Sequence, residues 1–308
     1  MNKPFHSFRK KWGQNFLNDT NLLNKIVKVI NPHSKDSILE IGAGDGALTE
    51  KIFSSVNQMA TVEIDPLLVK KLTLNPNLNG LIVLDGDILN YDLDEININK
   101  PVKIIGNIPY NITSSIIFWL IEQLDYWNEA YIMMQKEVAE RLVAKTNTKA
   151  YGRLTVVTSA YLNKEICFNI SPEVFYPKPK VYSALVKFSK KTSPIVHDEE
   201  FIKFNKIVRT AFSMRRKMIK NTLSGYHFSS DIKNKIDFSR EENNQNFWFI
   251  SKNKEEPRLA DRYKEQGAEL EQPLAIARDI KRLYERIANT KNTLSVGKFL
   301  IENNNLLR

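Results

Sequence analysis

Ser37-Ile38-Leu39-Glu40-Ile41-Gly42-Ala43-Gly44-Asp45-Gly46 decides the fold. Its first half is an apolar run of strand length. Its second half is a glycine turn, and Ala47 to Val56 continues with helical spacing. A strand that turns through glycines into a helix opens a βαβ unit. The pattern repeats on both sides. Residues 59–64, 81–84, 102–107 and 130–134 read as strands, and Leu22 to Ile30, Pro66 to Leu72, Ser114 to Leu124 and Lys136 to Ala144 read as helices. Such alternation predicts an α/β fold whose parallel sheet is covered on both faces. Two later runs, Leu154 to Leu162 and Tyr182 to Phe188, are expected as strands closing the sheet in a hairpin.

Thr192-Ser193-Pro194 breaks the pattern, and helical segments follow at Glu199 to Phe212 and Arg215 to Leu223. The expected organisation is an α/β domain over 1–195 with a basic N-terminal arm, a small helical domain over 196–252, and a helical or partly disordered tail over 253–308. In that tail Leu274, Ala277, Ile280, Tyr284 and Ile287 recur at helical spacing.

Forty-five Lys and Arg stand against 35 Asp and Glu, a net charge of +10. A basic chain of this size often meets polyanions. The distribution sharpens that reading, because residues 1–11, 174–197 and 201–230 carry basic side chains and no acid. These blocks resemble a phosphate-facing surface, with Lys10, Lys11, Lys178, Lys180, Arg215, Arg216 and Lys217 as candidate phosphate contacts. Cys167 is the only cysteine, so no intrachain disulfide forms and a reducing compartment, the cytoplasm, is expected. Four scattered histidines offer no metal-ligand spacing, so no metal is expected. The apolar run Ile116 to Ile121 is far too short for a membrane span, and the charged N-terminus does not read as a secretory signal.

The acids after the glycine turn narrow the ligand. Glu63-Ile64 ends the second strand about 20 residues beyond Gly42, where an acid can accept both ribose hydroxyls. Asp87-Ile88 follows the third strand. There an acid can accept an adenine amine, and Ile88 can pack on the ring. A nicotinamide dinucleotide and S-adenosylmethionine both fit this outline. The loop reads G-x-G-x-G rather than G-x-G-x-x-G, and Asp45 sits inside it. A carboxylate repels a pyrophosphate but suits a ligand with a positive centre and no phosphate. That favours S-adenosylmethionine.

Asn107-Ile108-Pro109-Tyr110 sits at the carboxyl end of the fourth strand, where open α/β sheets place ligands. The exocyclic amine of adenine is a poor nucleophile, since its lone pair is delocalised into the ring. Two acceptors holding its N–H groups favour a tetrahedral nitrogen and aim the lone pair. The Asn107 side-chain carbonyl and the Pro109 backbone carbonyl can supply them, which is orientation with electrostatic help rather than base catalysis. Tyr110 can stack on an unstacked base, with Phe175 as the candidate for its opposite face. The plainer alternative for Phe175 is a loop aromatic plugging the core.

With these residues in hand the chain resembles the rRNA adenine N6,N6-dimethyltransferases, and within them the KsgA-type enzymes of the small subunit. The resemblance is carried by Gly13 to Leu17, residues 41–46, Glu63, Asp87, Asn107 to Tyr110, Gln135 to Val138, Tyr151 to Leu154, Phe175 to Val181 and Phe212 to Lys217, with a weaker match at Arg240 to Asn243. It implies a seven-stranded, Rossmann-like S-adenosylmethionine-dependent methyltransferase domain and a smaller C-terminal all-α domain. It also implies two methyl transfers to each of two adjacent adenosines in the 3′-terminal hairpin of 16S rRNA, on an immature small subunit, by a monomer. It places Asn15, Leu17, Gly42, Glu63, Asp87 and Asn107 at the cofactor, with Ile64 and Ile88 in the same set. By themselves Asn15-Phe16-Leu17 read only as the start of a helix. No family segment accounts for residues 253–308.

Two other readings share the scaffold. One is an Erm-like methyltransferase of 23S rRNA, which the Phe175 loop and Phe212 to Lys217 disfavour. The other is a catalytically idle nucleic-acid-binding factor, for which an intact Glu63 and an intact Asn107 to Tyr110 would have no chemical use.

Overall fold

The computed structural model describes residues 15–17, 19–145, 148–192, 196 and 201–213. In chain order its elements are β1 (Phe16–Leu17), α1 (Thr20–Ile30), β2 (Ser37–Ile41), α2 (Thr49–Phe53), β3 (Gln58–Glu63), α3 (Pro66–Thr73), β4 (Ile82–Asp85), β5 (Val102–Asn107), α4 (Thr113–Glu122), β6 (Trp127–Gln135), α5 (Lys136–Leu142), α6 (Arg153–Tyr161), β7 (Leu162–Ile170), β8 (Phe175–Tyr176), β9 (Ser183–Lys190) and α7 (Phe201–Ala211). Seven strands form one mixed sheet in the order β4-β3-β2-β5-β6-β9-β7. Strands β2 to β6 are parallel to their neighbours, and β9 runs antiparallel to β6.

The sequence explains the middle of the sheet. Ile38, Leu39, Ile104, Ile105 and Ile132 are fully buried, as a strand covered on both faces requires. Strand β2 pairs with β3 on one side and β5 on the other. The order therefore reverses at β2/β5, and the carboxyl ends of these strands flank the crevice where doubly wound sheets bind ligands. Side chains start two of the helices. Asp19 Oδ1 accepts from Leu22 N at 2.6 Å to start α1, and Asp65 Oδ1 accepts from Leu67 N at 3.0 Å to start α3. Asn31 ends α1 at φ 47°. At the other end of the sheet from the crevice, buried Lys103 donates to the carbonyl of Ile30 at 3.3 Å and to Asp36 Oδ2 at 2.8 Å. Burial pushes the Asp36 carboxyl up, but the Lys103 hydrogen bond, the His33 backbone N–H and the charges of Lys103 and His33 together outweigh it and lower its pKa.

The described residues fall into two units, one of 15–140 with 163–190 and one of 141–162 with 191–213. The second unit corrects one expectation. Leu154 to Leu162 lies almost wholly in helix α6, and the strand expected there is β7, which begins where that run ends. The run is rich in Val and Thr, which favours a strand reading. Every residue from Thr155 to Tyr161 is buried, so no amphipathic period marks it as helical. Instead Thr155 Oγ1 accepts from Gly152 N at 3.1 Å and starts the helix, as the N3 residue of a capping box does. Tyr161 packs edge-on against Phe201 and Phe204 of α7, with ring centroids 5.7 and 6.3 Å apart. Glu199 to Phe212 is realised as α7. The helix expected over 215–223, most of the 196–252 region and the tail over 253–308 lie outside the described residues.

Candidate active site

Four strand ends build the site. After β2, Gly42, Gly44 and Gly46 take φ of +70°, +62° and +90°, values that exclude most side chains. Strand β3 delivers Glu63, whose Oε2 accepts from Gly44 N at 2.9 Å and whose Oε1 accepts from Asp65 N at 3.0 Å. The Ile64 backbone N–H also donates to this carboxylate, which still keeps acceptor capacity for a ligand. Burial pushes the Glu63 carboxyl up, and the backbone donors, including Asp65 and Gly44, oppose the shift. The end of β4 is tied alongside, with Gly86 N donating to Glu63 O at 3.0 Å. Asp87 Oδ1 then caps the following turn through Leu89 N at 3.0 Å, while its Oδ2 has no hydrogen-bond partner among the described residues. Ile64 is half-buried and Ile88 buried beside these acids. Asp45, Glu63 and Asp87 make no ion pair among the described residues.

Strand β5 delivers Asn107. Its Nδ2 donates to the backbone carbonyl of Asn15 at 2.7 Å. A carbonyl can only accept, so this bond fixes the amide's orientation and leaves Oδ1 as a free acceptor. The Pro109 carbonyl accepts from Ile112 N at 3.2 Å and keeps a second lone pair. The Tyr110 hydroxyl shares a hydrogen bond of 2.6 Å with Ser183 Oγ. Burial pushes that phenol up, Ser183 opposing, so it stays protonated at neutral pH.

The start of the described chain does not enter a helix. Residues 16 and 17 form β1, which pairs antiparallel with β8, Phe16 opposite Tyr176 and Leu17 opposite Phe175. The Phe16 ring lies on Gly44, where an added Cβ would stand 3.1 Å from it. Gly42, Glu63, Asp87 and Asn107 thus lie at the carboxyl ends of neighbouring strands, with Asn15 bonded to Asn107 and Leu17 in the core cluster. Phe175 is 4 % exposed and packed with Leu17 in the core cluster, so here its ring offers no open face to a base. Lys178 and Lys180 are exposed, with Lys178 bridging to Glu173. Lys10, Lys11, Arg215, Arg216 and Lys217 lie outside the described residues.

Sequence reasoning missed three groups. The Phe16 contact and the Ser183 bond join residues far apart in the chain and left no local signal. The third is Glu40, beneath the glycine turn, where an acid inside an apolar strand was itself the signal. Its Oε2 accepts from Thr49 Oγ1 at 2.6 Å, and the residue is 2 % exposed. Burial raises its pKa from 4.5 to about 7, with Glu63 and Asp45 adding and Thr49 opposing. The folded protein therefore holds a proton that the unfolded chain has already lost between these values, and stability falls as pH rises through that window. Glu40→Gln keeps an acceptor for Thr49 without the charge. It should be more stable than the parent above pH 7 by about 2 kcal/mol, the gap closing near pH 5. Urea melts across pH read this directly, and parallel curves would refute it.

The comparisons agree with this geometry. The ribosomal RNA adenine dimethylase family model matches residues 5–246. Ribosomal RNA small subunit methyltransferase A of Hahella chejuensis is 40% identical over 223 residues, 71% of this chain and 81% of that protein. A dimethyladenosine transferase from Plasmodium falciparum superposes with a TM-score of 0.60 at 26% identity, covering 88% of this chain and 97% of that one. The 23S rRNA methyltransferase ErmE gives a TM-score of 0.54 at 26% identity, over 68% of this chain and 84% of its own. With the family model spanning most of the sequence and the glycine turn, acids and Asn107 to Tyr110 at or just after the carboxyl ends of β2 to β5, the chain belongs to the ribosomal RNA adenine dimethylase family of S-adenosylmethionine-dependent methyltransferases.

Proposed function

We propose that this chain transfers methyl groups to N6 of two adjacent adenosines in the 3′-terminal hairpin of 16S rRNA, dimethylating each, on an immature small subunit, and that it works as a cytoplasmic monomer. Relatives named as small-subunit methyltransferases support the choice of rRNA. The observation that carries the chemistry is the Asn107 amide, turned by the Asn15 carbonyl so that Oδ1 is left to accept.

The crevice suits S-adenosylmethionine by its donor set. Glu63 keeps lone pairs for ribose hydroxyls, Asp87 Oδ2 is open to an adenine amine, and Ile64 and Ile88 flank them. Gly42 lets the chain pass close to a ligand, while the Asp45 carboxylate disfavours a pyrophosphate. What S-adenosylmethionine supplies is an electrophilic methyl group. Asn107 Oδ1 and the Pro109 carbonyl receive the two N–H bonds of the target amine and turn its lone pair toward that methyl. Tyr110, held by Ser183, offers its ring to the extruded base. Phe175 joins it only if β8 lifts from the core. Lys10, Lys11, Lys178, Lys180, Arg215, Arg216 and Lys217 are assigned to rRNA phosphates.

The deciding experiment incubates the protein with tritiated S-adenosylmethionine and small subunits from a strain lacking the modification, followed by mass spectrometry of nuclease fragments. Dimethyladenosine pairs in the 3′-terminal fragment are expected. Label confined to 23S rRNA would overturn the substrate. Tight RNA binding with no transfer would identify an idle factor.

A further inference from the structure

Seven large apolar side chains stand exposed among the described residues, and three of them fall in one short loop. Tyr176 is 47%, Val181 43% and Tyr182 56% exposed in Tyr176-Pro177-Lys178-Pro179-Lys180-Val181-Tyr182. Both ends of this loop are anchored at the crevice. Tyr176 is the ladder partner of Phe16 in β1. The Tyr182 carbonyl accepts from Lys136 N at 2.9 Å, and the next residue, Ser183, holds Tyr110. Pro177 and Pro179 fix φ at two positions, so little backbone freedom is lost when something binds. Lys178 bridges Glu173, and Lys180 has no ion-pair partner among the described residues. No acid occurs between 174 and 197.

Exposed rings interleaved with lysines and free of acids form a surface for a chain of stacked bases and phosphates. Building on the rRNA reading above, we propose that the 176–182 loop is a stacking platform for the unpaired nucleotides that flank the target adenosine. Tyr176 and Tyr182 each take a base, and Lys178 and Lys180 lie along the backbone, a phosphate displacing Glu173 from Lys178. The loop thereby holds the strand on either side of the extruded nucleotide and sets which single-stranded segments can present one.

The test measures methyl transfer to unmodified small subunits at several salt concentrations for Tyr176→Ala, Tyr182→Ala and the double variant. Alongside it, fluorescence anisotropy follows binding of a short single-stranded RNA. KM and the RNA dissociation constant should each rise about tenfold per ring removed. The salt slope should match the parent's, because no charge is lost. Tyr176→Phe and Tyr182→Phe should recover most of the loss, and Lys180→Ala should instead flatten the slope. Alanine variants with parental KM, or phenylalanine variants that recover nothing, would overturn the platform. Weakened subunit use with unchanged oligonucleotide binding would assign the loop to a ribosomal protein. If the parent transfers no methyl to subunits, the functional reading fails, while the anisotropy arm still decides the loop.

Discussion

Asn107→Ala is expected to lower kcat for methyl transfer by at least about 100-fold, the loss seen when one preorganised polar group at a reacting centre is removed. The side chain has two separable tasks. Its Nδ2 is spent on the Asn15 carbonyl at 2.7 Å, and its Oδ1 is left as an acceptor. Alanine removes both. Asn107→Asp isolates the first, because it keeps an acceptor but sets a carboxylate oxygen against the Asn15 carbonyl. That pair repels, so the aspartate variant should lose nearly as much turnover and should loosen the segment around β1. Single-turnover kinetics with saturating donor separate these effects from binding, and calorimetry reports donor uptake independently. An alanine variant with parental turnover would remove the amide from the chemistry altogether.

Gly106→Ala should be the most damaging small change to stability. A Cβ there would stand 2.9 Å from the Ile41 carbonyl oxygen, 3.2 Å from the Ile41 Cβ and 3.3 Å from Ile108 Cγ2. The nearest of these is backbone in the central strand β2, which cannot swing aside as a side-chain tip would. Relief requires β5 to move away from β2 along the register that pairs Ile41 with Gly106. The expected cost is about 3 kcal/mol, read as a lower urea midpoint with unchanged slope. Turnover should fall as well, because Asn107 is the next residue and moves with the strand. Gly42 gives the contrast. It also precludes most side chains by its φ of +70°, but the nearest atom to an added Cβ is 4.0 Å away. The cost there is conformational alone, about 1–2 kcal/mol. Equal destabilisation at the two sites would show that the strand contact at Gly106 is softer than the geometry implies.

The parts of this molecule legible from sequence are those dictated by neighbours in the chain. Residues 37–46 announce a strand and its glycine turn because burial on both faces favours the apolar residues Ile38, Leu39 and Ile41 around Glu40, and the turn demands positive φ. Glu63 and Asp87 are found because they end consecutive strands, and parallel topology places those ends side by side. Helix α6 was misread because complete burial erased its periodicity and its Val and Thr content mimics a strand. Strand β1 was missed for another reason. Two residues carry no period at all, and their partners at Phe175 and Tyr176 lie beyond six of the seven sheet strands in sequence. Phe175 shows the limit within the site. Its motif marks the loop, but only packing reveals that the ring is seated against Leu17 in the core.

The β1–β8 ladder has a consequence for how the enzyme comes into being. A nascent chain that has emerged only through β6 already owns the glycine turn, Glu63, Asp87 and Asn107, yet the two-residue strand at 16–17 has nothing to pair with until 175–176 have been synthesised. Until that late closure the Asn15 carbonyl is not fastened where Asn107 needs it. Such long-range pairing is slow to form. A growing polypeptide can therefore acquire most of its ligand-binding groove before the site can be completed, and completion waits until residues 175–176, past the midpoint of the 308-residue chain, have emerged.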